Sequence, residues 1–333
     1  MELTILKNIN DKKWSNLIEN FETRSLFHQS AWLNFLKQTQ KAEILRFKMT
    51  ENNKIIGYFV AFLEKRGPLK ILSSPRPGYN TPHLGPIVNK NFDQQEFIST
   101  LDKYCRLEKV DQLEISNPYL NAEIMEKNKF CSRQGITYLV EIFENEGKMW
   151  MNLKKKSCRY SIHKAEKNDL IVEDTGDPKI IDEYYRQLKQ VFGKQKLTPT
   201  YQKERIISLF NCLKKENLLF SLQVKYEDKI IATGFFPHDN QTVYFFGGAS
   251  WLEYHYLCPN DLIHWTLMKL AAKNGIKKYD MGGAGSFKPK FGGELTQTYH
   301  WYKSYNPLAK IARSIYQYQF KILQKIKGSI YKI

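Results

Sequence analysis

Cysteine is scarce in this sequence of 333 residues, and its few cysteines form no recognisable pattern. Their number is odd, no two have the CxxC spacing, and no set of cysteines and histidines has the spacing of a zinc site. A disulfide framework and a structural metal are therefore not expected. We predict reduced, structural cysteines in a cytoplasmic protein that holds no metal. They are Cys105, Cys131, Cys158, Cys212 and Cys258.

Long hydrophobic runs are also missing. The longest, Ile55–Leu63, is far shorter than the about 20 residues with which a helix crosses a bilayer. The opening MELTILKNINDKKW contains an early acid and lacks the apolar core of a signal peptide. Any membrane contact is therefore expected to be peripheral, on the inner face of the cell membrane.

Acidic residues are absent after Glu294, and the whole sequence carries a net charge of +17. Such a balance indicates polyanionic partners, namely tRNA or other nucleic acid, anionic lipid, or phosphorylated small molecules. Composition does not choose among them. The basic residues of the acid-free tail are Lys303, Lys310, Arg313, Lys321, Lys325, Lys327 and Lys332.

Residues 307–333 are predicted to form a basic amphipathic helix. This helix could lie on an anionic bilayer, or it could dock on the protein body through its apolar stripe. The second arrangement is favoured, because amphipathic helices mostly cover cores. The stripe consists of Ile311, Ile315, Tyr318, Ile322 and Ile326.

The stretch Tyr279–Glu294 reads YDMGGAGSFKPKFGGE. Its glycines and proline exclude a helix or a long strand. A helix capped by Asn260 or Asp261 and a short strand, Ile276–Met281, are predicted to precede it. This order is typical of α/β proteins that bring charged groups to the end of a sheet. An exposed connection with two solvated lysines, Lys288 and Lys290, is an equally open interpretation.

The two halves of the sequence show a weak repeat. In each, a predicted hairpin is followed by a loop, a helix and a strand, and KIIATGF from Lys229 echoes KIIGYF from Lys54. We therefore predict a duplicated α/β unit, with an N-terminal domain over 1–147 and a C-terminal domain over 148–306. The predicted elements are the strands Leu45–Thr50, Lys54–Leu63, Gln112–Ser116 and Thr242–Gly247, and the helices Gln94–Leu107 and 178–191.

A basic segment, Trp150–Leu170, joins the two halves. On a helix, Lys155, Arg159, His163 and Lys167 form one cationic stripe, whereas Leu153, Ile162 and Ala165 face inward. Like charges at this spacing repel, so either solvent screens them or an anion such as tRNA neutralises them. The first is the usual case for a charged helix face.

Several motifs, in this order, resemble those of the Fem family, the peptidoglycan bridge-forming aminoacyltransferases and their relatives in envelope polysaccharide pathways. The resemblance spans most of the chain. The motifs are FHQSAWLNFLK (Phe27–Lys37), the turn His83–Pro86, WxxL…RxxIxKAxK (Trp150–Lys167), YFFGGAS (Tyr244–Ser250), PNDLIHW (Pro259–Trp265) and DxGG…FKxxFGG (Asp280–Gly293).

The resemblance implies an α/β (α+β) protein with two tandem GNAT-like domains, in which mixed sheets are flanked by helices. It also implies transfer of an aminoacyl group, usually from charged tRNA, onto an amine of a peptidoglycan or polysaccharide precursor. Aminoacyl-tRNA or acyl-CoA is then a co-substrate, and no cofactor is needed. The coiled-coil arm of staphylococcal-type relatives is missing, and a monomer is expected.

The resemblance also assigns residues. Lys288 matches the family's lysine that assists at the transition state, with Phe287 beside it. Leu197 to Thr200 stand where relatives often place an arginine, so the acceptor could instead be an amino sugar or a lipid-linked capsule unit. The positions at which relatives hold the acceptor or line the cleft are Lys37, Arg76, Lys196, Tyr201 and Tyr244.

Two other functions stay open. An acyl-CoA-dependent GNAT N-acyltransferase acting on an amino sugar would use a pyrophosphate loop of the form [RQ]xxGx[GA], and none is found. A non-catalytic protein that binds tRNA or membrane would explain the charge but not the glycine-rich stretch.

Overall fold

The computed structural model of the protein describes residues 1–315 except 41, 90 and 195. Helices and strands are interspersed along the chain, as expected of a mixed α/β protein. The helices are α1 (Asp11–Ile18), α2 (Ser30–Thr39), α3 (Gln94–Leu107), α4 (Ala122–Lys127), α5 (Glu146–Asn152), α6 (Tyr160–Lys167), α7 (Lys179–Lys194), α8 (Lys203–Leu213), α9 (Pro259–Lys273) and α10 (307–315).

A π-helical turn, Lys155–Arg159, directly precedes α6. Many of the strands are short. The strands are β1 (Glu2–Ile5), β2 (Glu43–Glu51), β3 (Lys54–Arg66), β4 (Leu69–Ser74), β5 (Gly85–Val88), β6 (Gln112–Ile115), β7 (Cys131–Glu141), β8 (Ile171–Asp174), β9 (Leu219–Tyr226), β10 (Lys229–Pro237), β11 (Thr242–Tyr244), β12 (Gly247–Ser250), β13 (Lys278–Asp280) and β14 (Glu294–Ser304).

The chain forms two compact units, and each is built from separate segments. Within the described residues, unit 1 comprises 1–24, 42–133 and 299–315, whereas unit 2 comprises 25–40 and 134–298. Helix α2 belongs to unit 2 because it packs against α8. The contiguous domains 1–147 and 148–306 divide the chain differently, and those boundaries stay a prediction.

Unit 1 is organised by the hairpin of β2 and β3, which turns at Asn52 and Asn53. Both have positive φ, 48° and 62°, a conformation that asparagine tolerates in tight hairpins. Strand β3 pairs with β4 and β5, and β4 runs parallel to β6. Residues 301–304 of β14 pair with β6. The core lies between these strands and α3, whose bounds agree with those predicted.

Unit 2 contains an antiparallel sheet in the order β12, β10, β9, β8. Its other strands pair through β13, which is antiparallel to β7 and parallel to β11. Both groups of strands pack with α9 around a core that includes Leu222, Ile231, Leu267 and Tyr279. The order of helices and strands in unit 2 is the predicted one.

The predicted strand Thr242–Gly247 is wrong, because the chain changes partners in the middle of it. The Phe245 amide donates to the Asp280 carbonyl at 2.9 Å, but the next amide, that of Phe246, donates to the Phe235 carbonyl at 3.2 Å. Strand β11 therefore ends before these two residues and β12 begins after them. We call this point the strand crossing.

The predicted cap of α9 is also wrong. The helix begins at Pro259, directly after Cys258, which has a positive φ of 59°. Proline suits the first turn of a helix, because a backbone N–H at that position has no acceptor within the helix and its absence costs nothing. Asn260 and Asp261 are left for other contacts: the Asn260 amide donates to the Ser250 hydroxyl at 3.0 Å, and Asp261 pairs with Lys290.

Helix α10 packs on the rest of unit 1 through the buried Ala309 and through Arg313. Arg313 pairs with the buried Glu114 and stacks on Tyr302, 3.5 Å from its ring centre. Ile311 and Ile315 are more than half exposed, at 56% and 53%, so docking through the apolar stripe is wrong for this part of the helix. The rest of the stripe and the lysines from 321 onward lie outside the described residues.

No helix in the described part of the chain is long and apolar enough to cross a membrane.

Candidate active site

Lys288 lies in a loop that closes around its own side chain. It begins the short helical turn Lys288–Phe291, and its ammonium donates to the Gly283 carbonyl at 2.5 Å. A Cβ added at Gly285 would lie 3.1 Å from Lys288 Cε, and one at Gly282, where φ is +72°, would lie 3.8 Å from Nζ. The glycines therefore make room for this lysine, which is only 7% exposed. The interpretation as a connection with solvated lysines is wrong.

Asp280 sits at the base of this loop. Its buried carboxylate accepts from the Thr137 hydroxyl and from the Gly282 amide, the latter at 2.8 Å. Burial lowers the pKa of Lys288, and the charge of Asp280 opposes that effect. Burial likewise raises the pKa of Asp280 against its hydrogen bonds and the charge of Lys288. The result is a partly dehydrated ammonium with Asp280 as a counter-charge, a group that can stabilise negative charge developing on a substrate oxygen.

His264 fixes the ring beside Lys288. It lies 5.7 Å from Phe287 with the rings inclined by 30°, and its Nδ1 is bonded to the Tyr279 hydroxyl at 2.8 Å. Burial, followed by the charges of Lys290 and Lys288, lowers its pKa to about 3. His264 is therefore neutral and acts by packing. Sequence reasoning assigned it no role, although it lies in the PNDLIHW motif.

The end of the loop is anchored on α9 and on the basic segment. Lys290 pairs with Asp261 at 2.5 Å, and its carbonyl accepts from the Lys154 amide at 2.9 Å. Gly292 has φ +79°, and a Cβ there would meet the Asn152 carbonyl at 2.8 Å. The basic segment therefore begins against the turn that carries Lys288.

Tyr201 belongs to an aromatic cluster next to the strand crossing. Its hydroxyl lies 2.5 Å from the Tyr184 hydroxyl, and its ring lies 6.2 Å from Phe246. Burial raises the pKa of Tyr201, so its hydroxyl stays neutral and can serve as a hydrogen-bond donor. Tyr244, on β11, packs on Phe27 at 4.6 Å.

At the strand crossing, one residue contacts the surroundings of Lys288 and the next residue contacts Tyr201. Phe245 contacts the Lys288 side, at 5.1 Å from His264 and 6.4 Å from Phe287. Phe246 contacts the side of Tyr201. The two adjacent residues of the strand crossing thus contact the loop of Lys288 on one side and the tyrosine pair on the other, and all of these residues belong to unit 2.

The remaining predicted residues are more dispersed. Lys37 is exposed in the last turn of α2, and Lys196 is exposed in the loop before α8. Arg76 belongs to unit 1, where Glu64 binds its guanidinium at 2.5 Å. No described side-chain contact joins any of the three to Lys288 or Tyr201.

The basic segment differs from the predicted stripe. Leu153, Ile162 and Ala165 are buried as expected. The π-helical turn alters the spacing, however, and Arg159 directs its Nε to the Leu153 carbonyl at 3.1 Å. Lys155 and Lys167 are exposed. Across the described residues, no three His, Cys, Asp or Glu side chains form a group that could hold a metal ion.

Residues 153–294 match the family model described as an acetyltransferase (GNAT) domain. Comparison with curated protein sequences found no match. Among solved structures, FemX is similar with a TM-score of 0.72 and 14% identity, over 90% of this chain and 97% of FemX. L-PGS from Bacillus licheniformis has a TM-score of 0.55 and 12% identity, over 91% and 94% of the two chains. A tandem GNAT protein from the clavulanic acid biosynthesis pathway has 0.54 and 7%, over 92% and 99%.

The matched domain and the fold define an acyltransferase with the GNAT fold. The fold is similar to that of FemX along nearly the whole chain. The predicted fold class and enzyme class are confirmed. The acyl donor, the acceptor and the roles of individual residues stay predictions.

Proposed function

We propose that this protein transfers an aminoacyl group from aminoacyl-tRNA to an amine of a cell-envelope precursor, either of peptidoglycan or of an envelope polysaccharide. The observation that carries the proposal is the loop that closes around Lys288. An amine that attacks an ester carbonyl generates an oxyanion, and a fixed, partly dehydrated cation lowers the energy of that species. The oxyanion then collapses and leaves an amide, while the ribose oxygen departs as a hydroxyl group with the proton that the amine loses. This chemistry needs positioning and charge stabilisation rather than a metal.

The acceptor is proposed to bind on the Tyr201 side of the strand crossing. The neutral hydroxyl of Tyr201, which the buried Tyr184 hydroxyl holds in place, is a donor for its polar groups, and Tyr244 lies on the strand that leads to the crossing. Lys37 and Lys196, both in unit 2, are the proposed contacts for its phosphates. The assignment of Arg76 stays a prediction from the sequence, and Glu64 already neutralises its guanidinium.

Two similar structures support an amino acid as the transferred group. One is L-PGS, and the other is the C-terminal domain of a putative lysylphosphatidylglycerol synthetase from Agrobacterium fabrum, which has a TM-score of 0.54. A cytoplasmic location with peripheral contact to the inner membrane face is part of the proposal. The outward apolar residues of α10 support that contact. The protein is proposed to act as a monomer.

A second candidate is transfer from acyl-CoA to an amino sugar. It is favoured by the description of the matched family model as an acetyltransferase domain. The two candidates differ in the donor, so a donor experiment separates them.

The experiment compares transfer from radiolabelled aminoacyl-tRNAs with transfer from acetyl-CoA, using crude envelope precursors as acceptors. We expect transfer from tRNA that RNase treatment abolishes. Transfer from acetyl-CoA alone would reject the proposal in favour of the second candidate.

A further inference from the structure

We infer that the outward side of α6 binds the single-stranded 3′ end of an RNA, with Tyr160 as the stacking platform for a base. This inference rests on the proposed function, because it names the surface that would receive the tRNA donor. We call it the α6 surface, and it consists of Lys156, Tyr160, Lys164 and Lys167.

The direction of this surface follows from what α6 buries. Cys158, Ile162 and Ala165 are all 0% exposed and face the core of unit 2. Tyr160, Lys164 and Lys167 are spaced about one and two turns apart on another side of the helix, and Lys156 lies in the π-helical turn that precedes it. Tyr160 is 66% exposed, and no ring contact involves it in the described part of the chain. An aromatic ring held in solvent between lysines is an arrangement suited to stacking an unpaired base.

The charge around Tyr160 suits a phosphate backbone. Residues 154–167 contain six lysines and arginines, Lys167 included, and a single acid, Glu166. That acid lies beside His163 at 3.5 Å. The lysines at 156, 164 and 167 thus flank the ring with positive charge, and cations of this kind bind nucleic acid by releasing condensed counterions.

The position of the α6 surface connects it to the proposed chemistry. The segment begins at the Lys288 loop, since the Lys154 amide bonds to the Lys290 carbonyl and Gly292 contacts Asn152 closely. An RNA that lies along α6 toward its N-terminal end therefore approaches Lys288 with its last nucleotides. Those nucleotides carry the ester in an aminoacyl-tRNA.

The test is fluorescence anisotropy with a labelled single-stranded RNA ending in CCA. Tyr160→Ala is expected to weaken binding about 5- to 100-fold, the effect of losing one stacked base, whereas Tyr160→Phe keeps the ring and should bind within about twofold of wild type. Lys164→Gln should weaken binding and reduce the salt dependence by about 0.7 in the log–log slope. Tyr119→Ala, at an exposed tyrosine of unit 1, is the matched control and should change nothing.

Unchanged RNA affinity in Tyr160→Ala would overturn the inference, whatever the donor proves to be. Two results separate the inference from the proposed function. Loss of RNA binding in Tyr160→Ala without any tRNA-dependent transfer by wild type would support the surface and reject the function. Transfer from tRNA in which Tyr160→Ala leaves KM for the tRNA unchanged would support the function and reject the surface.

Discussion

Lys288 is the residue on which the proposed chemistry depends. We predict that Lys288→Ala lowers kcat about 100- to 1,000-fold, as expected when one charge-stabilising group is removed, and leaves the thermal unfolding temperature nearly unchanged. Lys278→Ala, at an exposed lysine of β13, is the control. Because the cation is the active form and burial lowers its pKa, wild-type kcat should fall as pH rises through a value below that of an ordinary lysine. Near-normal turnover in Lys288→Ala would remove Lys288 from the site.

His264 makes unit 2 sensitive to acid. In the unfolded chain a histidine binds a proton near pH 6.5, but in the fold its pKa is about 3. Stability is therefore complete above pH 6.5 and is lost as pH falls toward 3. Between pH 7.5 and 5, this group alone costs about 2 kcal/mol of unfolding free energy.

Urea unfolding of wild type and His264→Phe at both pH values checks this prediction. The variant should be less stable at pH 7.5, because the Tyr279 hydroxyl loses its partner, yet it should lose about 2 kcal/mol less on acidification. An equal loss in both proteins would show that other groups cause the acid sensitivity.

At the residue scale, the sequence drew attention to Lys288 but not to the residues that surround it. A lysine in a glycine-rich motif is visible in the chain itself. The neutral state of His264 and the burial of Asp280 arise only when α9 and β13 pack together. For Arg76 the sequence suggested too much. A basic residue in a rigid loop suggests a phosphate contact, but the fold places the Glu64 carboxylate of β3 against its guanidinium.

The strand crossing is the element that assembles the proposed site, and the sequence did not reveal it. YFFGGAS has the composition of a continuous strand. Which carbonyl each amide meets depends on β10 and β13, which come from distant parts of the chain. Gly247 is the local trace of the crossing, because its Cα faces the Tyr184 and Tyr201 hydroxyls.

We predict that Gly247→Ala destabilises the protein by about 1–3 kcal/mol, the usual cost of overpacking. Its Cβ would lie 2.6 Å from the Tyr184 hydroxyl and 3.1 Å from that of Tyr201. Removing the nearer oxygen in Tyr184→Phe should relieve most of this strain, so the double variant should be more stable than the sum of the two single effects. Additive effects in chemical unfolding would mean that the backbone shifts instead.

The α6 region shows how a local change of helix type alters a predicted surface. A regular α-helix would align Lys155 with Arg159, but the π-helical turn separates them and directs Arg159 to the backbone. Hydrophobic spacing predicted the buried side correctly, because Leu153, Ile162 and Ala165 are constrained by the core. The charged residues are not held by the core, so the direction in which each one points could not be predicted from their spacing.

At the scale of the whole molecule, the order of elements was predictable, whereas their division into compact units depends on contacts between distant segments. The hairpins, α3, α9 and the short strands follow from periodicity and turn residues. The transfer of 25–40 to unit 2 depends on the contact between α2 and α8, and an amphipathic helix does not specify which core it covers. Contiguous domains were the natural expectation because nothing in the local sequence marks a segment that packs with a distant one.

Helix α10 gives the molecule a basic end with an apolar face, and this arrangement predicts membrane binding. Ala309 and Arg313 hold the helix to unit 1, so the opposite side is free of that packing. Its apolar residues can enter the membrane–water interface. The lysines that follow in the sequence, from Lys321 onward, can attract anionic lipid, each contributing about 1 kcal/mol near the membrane surface. Binding to anionic vesicles should therefore weaken with salt and be minimal on zwitterionic vesicles.

The decisive variant changes the apolar face and spares the anchor. The triple variant Leu308→Ser, Ile311→Ser, Ile315→Ser removes three apolar side chains that are each more than half exposed. Vesicle binding should therefore fall more than about tenfold, given the apolar area that each would bury. Because Ala309 and Arg313 remain, the helix should keep its contact with Glu114 and the fold its stability. The matched control is the triple variant Ile55→Ser, Leu107→Ser, Ile171→Ser, which changes three similarly exposed apolar side chains elsewhere. If both triple variants sediment with vesicles as wild type does, the charge of the tail alone binds the membrane and the apolar face of α10 has no part in it.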